Sequence, residues 1–405
     1  MKAYERLLKY VVIKTPSDEH STASPSSACQ FVLANALVKE MKEMGLSDVF
    51  LDEHCYVYGK LPATPGYENK MKLGFVAHTD TVAPFADVKI NRVIDENDDG
   101  QDVELQFPGR KISKKLFPHL ENLKGRTLIT TDGYTILGAD DKAGIAEILT
   151  MCEVLIKEEI PHGQISVAFT PDEEIGGGAE LLDLERFGAE YAFTLDGGEE
   201  GEIQYENFNA AVATFDIDGY SIHPGESKGR MVNALLVAMQ INNSLPSEET
   251  PRGTEGYEGF YHLCHLTGEC DSAHMEYIIR DHSKELFEAK KATLRLIAKN
   301  MNRRLGSERI VLNIKDQYAN MASIMKDCMH LIDHAKIACE RAGIEPIIRP
   351  IRGGTDGARL SFRGLPCPNL GTGGYAYHGP YEHITVEGMD KTVDFIVELV
   401  KIYAE

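Results

Sequence analysis

The chain has 405 residues, of which 43% are hydrophobic and 26% are charged, and its formal net charge at pH 7 is −21. This length and composition predict a globular protein of two or more domains with ample buried core. The strong negative charge argues against a surface for nucleic acid or an anionic membrane, because it would repel both.

The N-terminus and the cysteines indicate a cytoplasmic protein. The first 19 residues lack the apolar segment and the small-residue cleavage site of a signal peptide, and no apolar run approaches the length of a membrane span. The eight cysteines are scattered, with no C-x-x-C pair. That distribution is typical of reduced thiols rather than of a disulfide framework.

The first part of the chain alternates between helix and strand patterns. A short helix within residues 1–20 precedes an amphipathic helix from Ser26 to about Met44 and an apolar strand at 73–78. Residues 85–135 look irregular, and a helix from Asp140 to Lys157 then leads into two more apolar strands. We therefore expect an α/β fold with a mainly parallel mixed sheet and helices on both faces.

Polar residues follow the ends of three of these strands. His78 and Asp80 are two residues apart at the end of the first strand, so their side chains should point to the same face. The acidic residues after the other two strands are Glu173, Glu174 and Asp196. Carboxylates at neighbouring strand ends would repel one another, and a bound metal pair is the simplest remedy.

From about residue 207 the pattern changes to β-α-β-β-α-β, which is typical of a ferredoxin-like domain. After residue 317 the chain returns to helix and strand. We therefore expect a catalytic domain formed by 1–207 and 318–405, with an inserted domain at 208–317. The inserted domain could close over the site, and its exposed edge strands could pair with a second copy to form a homodimer.

Two further patterns resemble metal-binding motifs, but we interpret both otherwise. Residues 95–100 match the first half of an EF-hand loop, yet Gln106 stands where a bidentate glutamate belongs, so we expect a solvated acidic hairpin. His330 and His334 are four residues apart, as zinc ligands on one helix would be. Leu331 occupies the position of the glutamate in that motif, so we expect ordinary helix-face histidines.

The chemistry that this set of residues could perform is peptide hydrolysis. It needs a nucleophilic water, an acid for the leaving amine and stabilisation of the oxyanion, and two metal ions about 3.5–4 Å apart can supply the first and third. The expected ligands are His78, Asp140, Glu174, Asp196 and His378. Asp140 would bridge the ions, Asp80 would orient His78, and Glu173 would carry the proton from water to amine.

Taken together, the motifs resemble those of the co-catalytic zinc metallopeptidases. The matching segments are AHTDT (77–81), GADDKAG (138–144), TPDEEIG (170–176), LDGG (195–198), SIHPG (221–225), IRGGTDG (351–357) and YHGPYE (377–382). The resemblance covers most of the chain and implies an aminopeptidase that releases the N-terminal residue of tripeptides. It implies the ligand, orienting and proton-carrying roles given above to individual residues. It also implies two zinc ions per subunit, although cobalt or manganese would suit these ligands, and a cis Asp140–Asp141 peptide bond.

Residues that bind the substrate are expected in the inserted domain and in the IRGGTDG loop. By resemblance, His223 would bind the scissile carbonyl or oxyanion, with Asn233 nearby. Arg280 and Arg352 could hold the C-terminal carboxylate of the peptide by bidentate hydrogen bonds. A fixed distance from the metals to such an arginine would select tripeptides.

Other functions fit the same motifs. A dipeptidase, carboxypeptidase or N-acyl-amino-acid deacylase of the same superfamily would keep the metal site and change the substrate. A catalytically silent binding protein would keep the fold and the metals. Glu173 argues against the silent protein, because a general base has no use in a pure binder. We therefore favour the aminopeptidase, and we expect short peptides as its partners.

Overall fold

The polypeptide divides into two units that are interleaved along the sequence. The computed structural model describes residues 1–85, 92–95 and 99–405. The first unit comprises Met1–Tyr205, Ser323–Arg349 and Thr355–Glu405, and the second comprises Glu206–Ala322 and Pro350–Gly354. The segment Pro350–Gly354 was expected in the catalytic domain. That the two units are separate domains with the boundaries expected above stays a prediction.

The α-helices are distributed over the whole chain. They are α1 (Ala3–Tyr10), α2 (Gln30–Met44), α3 (Ala139–Lys157), α4 (Leu184–Phe187), α5 (Ala234–Asn242), α6 (Lys284–Leu305), α7 (Ala322–Met325), α8 (His330–Arg341), α9 (Asp356–Phe362) and α10 (Val386–Ala404). None of these helices, in the part of the chain that the structure describes, has both the length and the hydropathy to cross a membrane.

The strands are mostly short. They are β1 (Ser47–Leu51), β2 (Val57–Leu61), β3 (Leu73–His78), β4 (Arg92–Asp95), β5 (Val103–Glu104), β6 (Lys111–Ile112), β7 (Leu128–Thr131), β8 (Ile165–Thr170), β9 (Tyr191–Leu195), β10 (Glu202–Gln204), β11 (Asn209–Asp218), β12 (Phe260–Gly268), β13 (Ser272–Asp281), β14 (Ile310–Tyr318), β15 (Ile347–Ile348), β16 (Asn369–Leu370), β17 (Gly374–Tyr375) and β18 (His383–Thr385).

The first unit is built on a mixed sheet with the strand order β1-β2-β8-β3-β9-β16-β10-β15. β3 lies between β8 and β9 and is parallel to both. The pairs β9–β16 and β10–β15 are also parallel, whereas β1–β2, β2–β8 and β10–β16 are antiparallel. The predicted α/β class with a mainly parallel mixed sheet is confirmed.

Each face of this sheet has its own hydrophobic core, because side chains alternate between the faces along every strand. Phe75 and Phe193 belong to the larger core, which α1, α2, α3, α8 and α10 cover. Val76 and Ala168 belong to the core on the opposite face, to which α4 and α9 contribute. The prediction of helices on both faces is confirmed. Burial on both faces also explains why these strands are continuously apolar.

Part of the region that was expected to be irregular contains a second sheet. Its strand order is β17-β18-β7-β4, and its neighbouring strands are antiparallel. β5 and β6 form a separate antiparallel pair. The expectation of irregular structure at 85–135 was therefore wrong for these segments. Strands of two to four residues are too short to show the alternation by which a strand is recognised in sequence.

The second unit has the predicted element order β11-α5-β12-β13-α6-β14. Its sheet has the order β12-β13-β11-β14, and every pair is antiparallel. Phe215 of β11 and Tyr277 of β13 pack with Ala238 of α5 and Leu294 of α6 in a core of its own. Residues that alternate with the buried ones of β11 are partly exposed, so the two helices cover one face of this sheet.

Candidate metal centre

Three parallel strands end at one edge of the main sheet and bring predicted ligands together. His78 is the last residue of β3 and lies opposite Thr170, the last residue of β8. Glu173 and Glu174 follow β8 in a short 3₁₀ turn, and Asp196 follows β9 directly. Residues distant in sequence meet here because the carboxyl ends of parallel strands share an edge.

The other two predicted ligands come from outside these strands. Asp140 lies in the first turn of α3, where its backbone is not helical, and the Asp140–Asp141 peptide bond is cis. His378 lies in the loop between β17 and β18, with a left-handed backbone φ of 63°. This conformation is uncommon for residues other than glycine and often marks a functional position.

The two imidazoles lie on either side of the Asp140 carboxylate. His78 Nε2 is 3.0 Å from Asp140 Oδ1 and 3.5 Å from Asp196 Oδ1. His378 Nε2 is 3.0 Å from Asp140 Oδ2 and 3.1 Å from Glu174 Oε2. The structure thus brings together five residues in two adjoining groups that share Asp140. A pair of metal ions with a bridging carboxylate needs such an arrangement.

The donor atoms of this cluster fit a metal ion. Those of His78, Asp140 and Glu174 lie within 4.8 Å of one another, as do those of His78, Asp141 and Asp196. Among the described residues, buried Glu174 Oε1 has no hydrogen-bond partner. An unpartnered buried carboxylate oxygen is costly unless a cation binds it. The cluster can therefore hold a metal.

Asp80 is fully buried behind His78 and fixes several groups at once. Its Oδ1 lies 3.3 Å, and its backbone oxygen 3.1 Å, from His78 Nδ1. Both oxygens are acceptors, so in the neutral ring Nδ1 carries the proton and Nε2 is free to act as a ligand. The Asp80 carboxylate also accepts the backbone N–H groups of Glu173 and Glu174, at 3.0 and 3.2 Å.

The pKa values of both histidines reflect the surrounding carboxylates. Hydrogen bonds with Asp140 and Glu174 raise the pKa of His378 to about 11. Burial lowers the pKa of His78, but its hydrogen bonds with Asp140, Asp196 and Asp80 outweigh this and raise the pKa well above its usual value. The cluster thus favours positive charge at each imidazole, which also favours a metal cation in place of the proton.

Glu173 is half-buried beside the cluster. Burial raises the pKa of its carboxyl group well above the usual value, and the negative charge of Asp196 raises it further. A carboxyl group with a raised pKa can accept and return a proton near neutral pH. This property is required of the general base predicted here.

Three acidic residues near the cluster had no role assigned from the sequence. Glu382 accepts hydrogen bonds from backbone N–H groups within 137–140. Asp141 Oδ2 accepts the backbone N–H of His78 at 3.0 Å. Asp356 accepts a hydrogen bond from the hydroxyl group at the end of β8, and burial raises its pKa to about 7. All three lie in motif segments quoted above, but sequence cannot identify the partners of a carboxylate.

Two of the predicted substrate-binding residues, both in the second unit, accept hydrogen bonds from backbone N–H groups close to them in sequence. His223 is exposed, and its Nδ1 accepts the backbone N–H of Gly225 at 3.2 Å. Asn233 caps α5, where its Oδ1 accepts the backbone N–H of Leu236 at 3.2 Å. Their roles toward substrate stay predictions.

The two predicted arginines also lie in the second unit and differ in how many of their donors are engaged. Arg280 uses Nη1 to reach backbone oxygens at 3.0 and 3.4 Å, and its guanidinium lies 5.4 Å from the Tyr318 ring centre. Arg352 uses both Nη1 and Nη2 for hydrogen bonds to the backbone oxygens of residues 254, 256 and 258. Both arginines stay candidates for the substrate carboxylate.

Of the two patterns that resemble metal-binding motifs, the structure describes the histidine pair fully and the acidic segment only in part. The rings of His330 and His334 pack edge-on against Tyr191 and Tyr403, which suits helix-face residues. The acidic segment 95–100 includes residues 96–98, which lie outside the described part of the chain. The hairpin predicted there therefore stays a prediction.

Sequence comparisons relate the chain to metallopeptidases. The profile of "Peptidase family M20/M25/M40" matches residues 130–402. A protein named Peptidase T from Clostridium perfringens (strain 13 / Type A) is 48% identical over 405 residues, which cover 100% of this chain and 99% of that protein. The Peptidase T of Geobacillus kaustophilus (strain HTA426) is 46% identical over 403 residues, covering 99% of this chain and 98% of that protein.

Solved structures with the same fold include peptidases. Aminopeptidase PepT from Bacillus cereus ATCC 10987 has a TM-score of 0.79 at 24% identity, with 100% of this chain and 98% of that chain covered. A tripeptidase from Staphylococcus aureus has a TM-score of 0.78 at 21% identity, again covering 100% and 98%. At these identities the likeness concerns the fold alone.

Proposed function

Because this chain belongs to peptidase family M20/M25/M40, we propose that it is a metal-dependent aminopeptidase that removes the N-terminal residue from tripeptides. The position of the Asp140 carboxylate, 3.0 Å from an imidazole nitrogen on each side, carries the proposal. The name Peptidase T and the description of one solved structure as a tripeptidase support the substrate class.

Two zinc ions per subunit are the proposed cofactors, and cobalt or manganese would suit the same donors. Their ligands would be His78, Asp140, Glu174, Asp196 and His378. Bound there, the ions would supply Lewis acidity toward the scissile carbonyl and positive charge for the oxyanion. The unpartnered Glu174 Oε1, considered among the described residues, supports a cation at this position.

The remaining steps belong to side chains of this protein. Glu173 takes a proton from the attacking water and returns it to the leaving amine. Asp80 keeps the proton of His78 on Nδ1 and holds the backbone of Glu173 and Glu174 in place. The raised pKa of Glu173 supports the assignment of the proton carrier.

We assign Arg280 to the C-terminal carboxylate of the peptide and His223 to the scissile carbonyl or oxyanion, with Asn233 contributing nearby. Arg352 is the second candidate for the carboxylate. We favour Arg280 because both terminal nitrogens of Arg352 already donate to backbone oxygens. A bidentate arginine–carboxylate contact would distinguish peptides by length, since it is made only when the C-terminus reaches it.

We also propose that the enzyme works in the cytoplasm. The eight cysteines are free thiols, which suits a reducing compartment. A homodimer through the second unit's edge strands, β12 or β14, completes the proposal. Both strands lie at the edges of the four-stranded sheet and contain exposed residues, which supports pairing with a second copy.

The decisive experiment measures metal stoichiometry of the purified protein beside cleavage of matched substrates. The substrates are a tripeptide, the dipeptide from its first two residues and the N-acetylated tripeptide. We expect two metal ions per chain and release of the N-terminal residue from the free tripeptide alone. Preference for the dipeptide or the acylated peptide would overturn the assigned substrate, and absence of metal would overturn the centre.

A further inference from the structure

Glu382 is a buried carboxylate whose two oxygens accept three backbone N–H groups. Oε2 accepts those of Leu137 and Gly138, each at 2.8 Å, and Oε1 accepts that of Asp140 at 2.9 Å. The residue is 1% exposed. Hydrogen bonds from N–H groups to a buried carboxylate are charge-assisted and stronger than neutral ones. The Glu382 side chain therefore holds the turn that presents Asp140.

The same residue is tied to the loop that carries His378. The backbone N–H of Glu382 donates to the backbone oxygen of Gly379 at 3.1 Å, which closes a turn directly after His378. On its other side Glu382 leads into β18, where Ile384 pairs with Ile129 of β7. Glu382 thus joins a sheet strand, the His378 loop and the Asp140 turn.

We propose that Glu382 is a positioning residue that fixes the Asp140 carboxylate between His78 and His378 and thereby sets the affinity of the centre for metal. Without the Glu382 carboxylate, the three backbone N–H groups that donate to it would have no acceptor in a buried turn. The turn would then rearrange to pair them. Asp140 would then move relative to both imidazoles. This inference rests on the proposed metal binding and is independent of the substrate.

Glutamine in place of Glu382 tests this role with little change in shape. The side-chain amide keeps one acceptor oxygen, but its NH₂ group would face at least one backbone N–H donor. The Glu382→Gln variant therefore loses one or two of the three hydrogen bonds, whichever way the amide is oriented.

The chain offers a matched control in Glu387, at the start of α10. Its Oε2 accepts the backbone N–H of Thr127 at 2.8 Å, and its Oε1 accepts the hydroxyl group of the same residue at 3.2 Å. This carboxylate also holds backbone by charge-assisted hydrogen bonds, but it holds none of the proposed ligand segments. If these hydrogen bonds contributed only to stability, both variants should therefore show a lower melting temperature and nothing else.

The experiment titrates Co²⁺ into the metal-free, full-length protein and follows the visible absorption of the bound ion. We expect Glu382→Gln to weaken Co²⁺ binding about 10- to 100-fold, the range found when groups that orient metal ligands are removed, and to alter the absorption spectrum. Glu387→Gln should keep the affinity and the spectrum of the unchanged protein. Equal affinity and spectrum in Glu382→Gln would overturn the proposal.

A second variant serves if the glutamine variant does not fold. Glu382→Asp keeps the charge but withdraws the carboxylate by one methylene, so it should also weaken Co²⁺ binding, and unchanged binding would overturn the proposal. An unchanged protein that binds no Co²⁺ would overturn both this inference and the metal centre. One that binds Co²⁺ in the predicted way but cleaves no tripeptide would overturn only the proposed substrate.

Discussion

Neighbouring carboxylates in this centre have different surroundings, which supports the different roles proposed for them. Asp140 and Glu174 each lie about 3 Å from an imidazole nitrogen, which suits ligands of a shared ion. Asp80 has its carboxylate occupied by backbone N–H groups and by His78, which suits a residue that orients others. Glu173 has a pKa raised chiefly by burial, which suits proton transfer. Residue type alone could not have separated these roles.

The residue-scale prediction concerns Glu173. Replacing it with glutamine removes the group that accepts the proton of water while leaving the proposed ligands in place. We expect kcat to fall by about 10²- to 10⁴-fold, with unchanged metal content, because general-base catalysis contributes about this much. Steady-state kinetics and metal analysis of the same preparation check both parts.

Glu180 provides the control for that variant. It follows the same turn, and its exposed side chain pairs with Arg359 at 2.9 Å. Glu180→Gln should leave kcat unchanged. Substantial activity in Glu173→Gln would show that another residue carries the proton.

Between elements, the close approach of α3 to the end of β9 depends on Gly144. A Cβ atom at this position would lie 2.3 Å from the backbone oxygen of Leu195 and 2.6 Å from Asp141 Oδ1. Leu195 directly precedes Asp196. The glycine therefore lets a helix that begins with one proposed ligand pack against a strand that ends beside another.

We predict that Gly144→Ala lowers the free energy of unfolding by about 1–3 kcal/mol, the usual cost of overpacking a close contact. It should also weaken metal binding, because Asp140 and Asp196 are forced apart. Urea unfolding and metal analysis measure the two effects. Gly353→Ala is the control, since a Cβ there meets no atom within 4 Å. Equal stability of the two variants would contradict the packing argument.

Three helices on one face of the main sheet are joined by an ionic network around Arg6. This buried side chain donates from Nε to Glu40 of α2 and from Nη2 to Glu153 of α3, each at 2.7 Å. Burial raises the pKa of Glu153, but its hydrogen bonds with Lys157, the N-terminal amino group and Arg6 outweigh this and lower the pKa to about 2.

This lowered pKa predicts how stability depends on pH. Glu153 has an ordinary pKa of 4.5, so its contribution is complete above about that pH and disappears as the pH falls toward 2. Glu153→Gln should therefore cost about 1–3 kcal/mol at pH 7 and progressively less below pH 4.5. Urea unfolding of both proteins across this range measures the difference. Glu158→Gln, in an exposed position after the same helix, should cost little at any pH. A pH-independent cost for Glu153→Gln would contradict the prediction.

At the scale of the whole molecule, the second unit has a hydrophobic core and a sheet of its own. Its core residues come from β11 to β14, α5 and α6, all within residues 209–318. We predict that residues 206–322 expressed alone unfold cooperatively in urea and show mixed helix and strand content by circular dichroism. A broad, non-cooperative transition would contradict the proposal that this unit is a domain.

The element order of the second unit could be predicted from sequence because it is written in local patterns, as in β11, where buried and partly exposed residues alternate. That the segment Pro350–Gly354 belongs to this unit could not be predicted. Ile351 donates its backbone N–H to the oxygen of Glu206 within the second unit. A backbone hydrogen bond between segments so distant in sequence leaves no mark on composition or periodicity.

The sequence by itself determined the apolar strands, the spacing that puts His78 and Asp80 on one face, and the set of motifs that resemble a metallopeptidase. These are local properties, fixed by covalent order and backbone geometry. Only the tertiary structure decided which atoms meet: His378 beside Asp140, Asp80 beneath the glutamate pair, and Glu382 on the turn of Asp140. Such contacts depend on strand register and helix packing, in which many weak interactions across the whole chain act together.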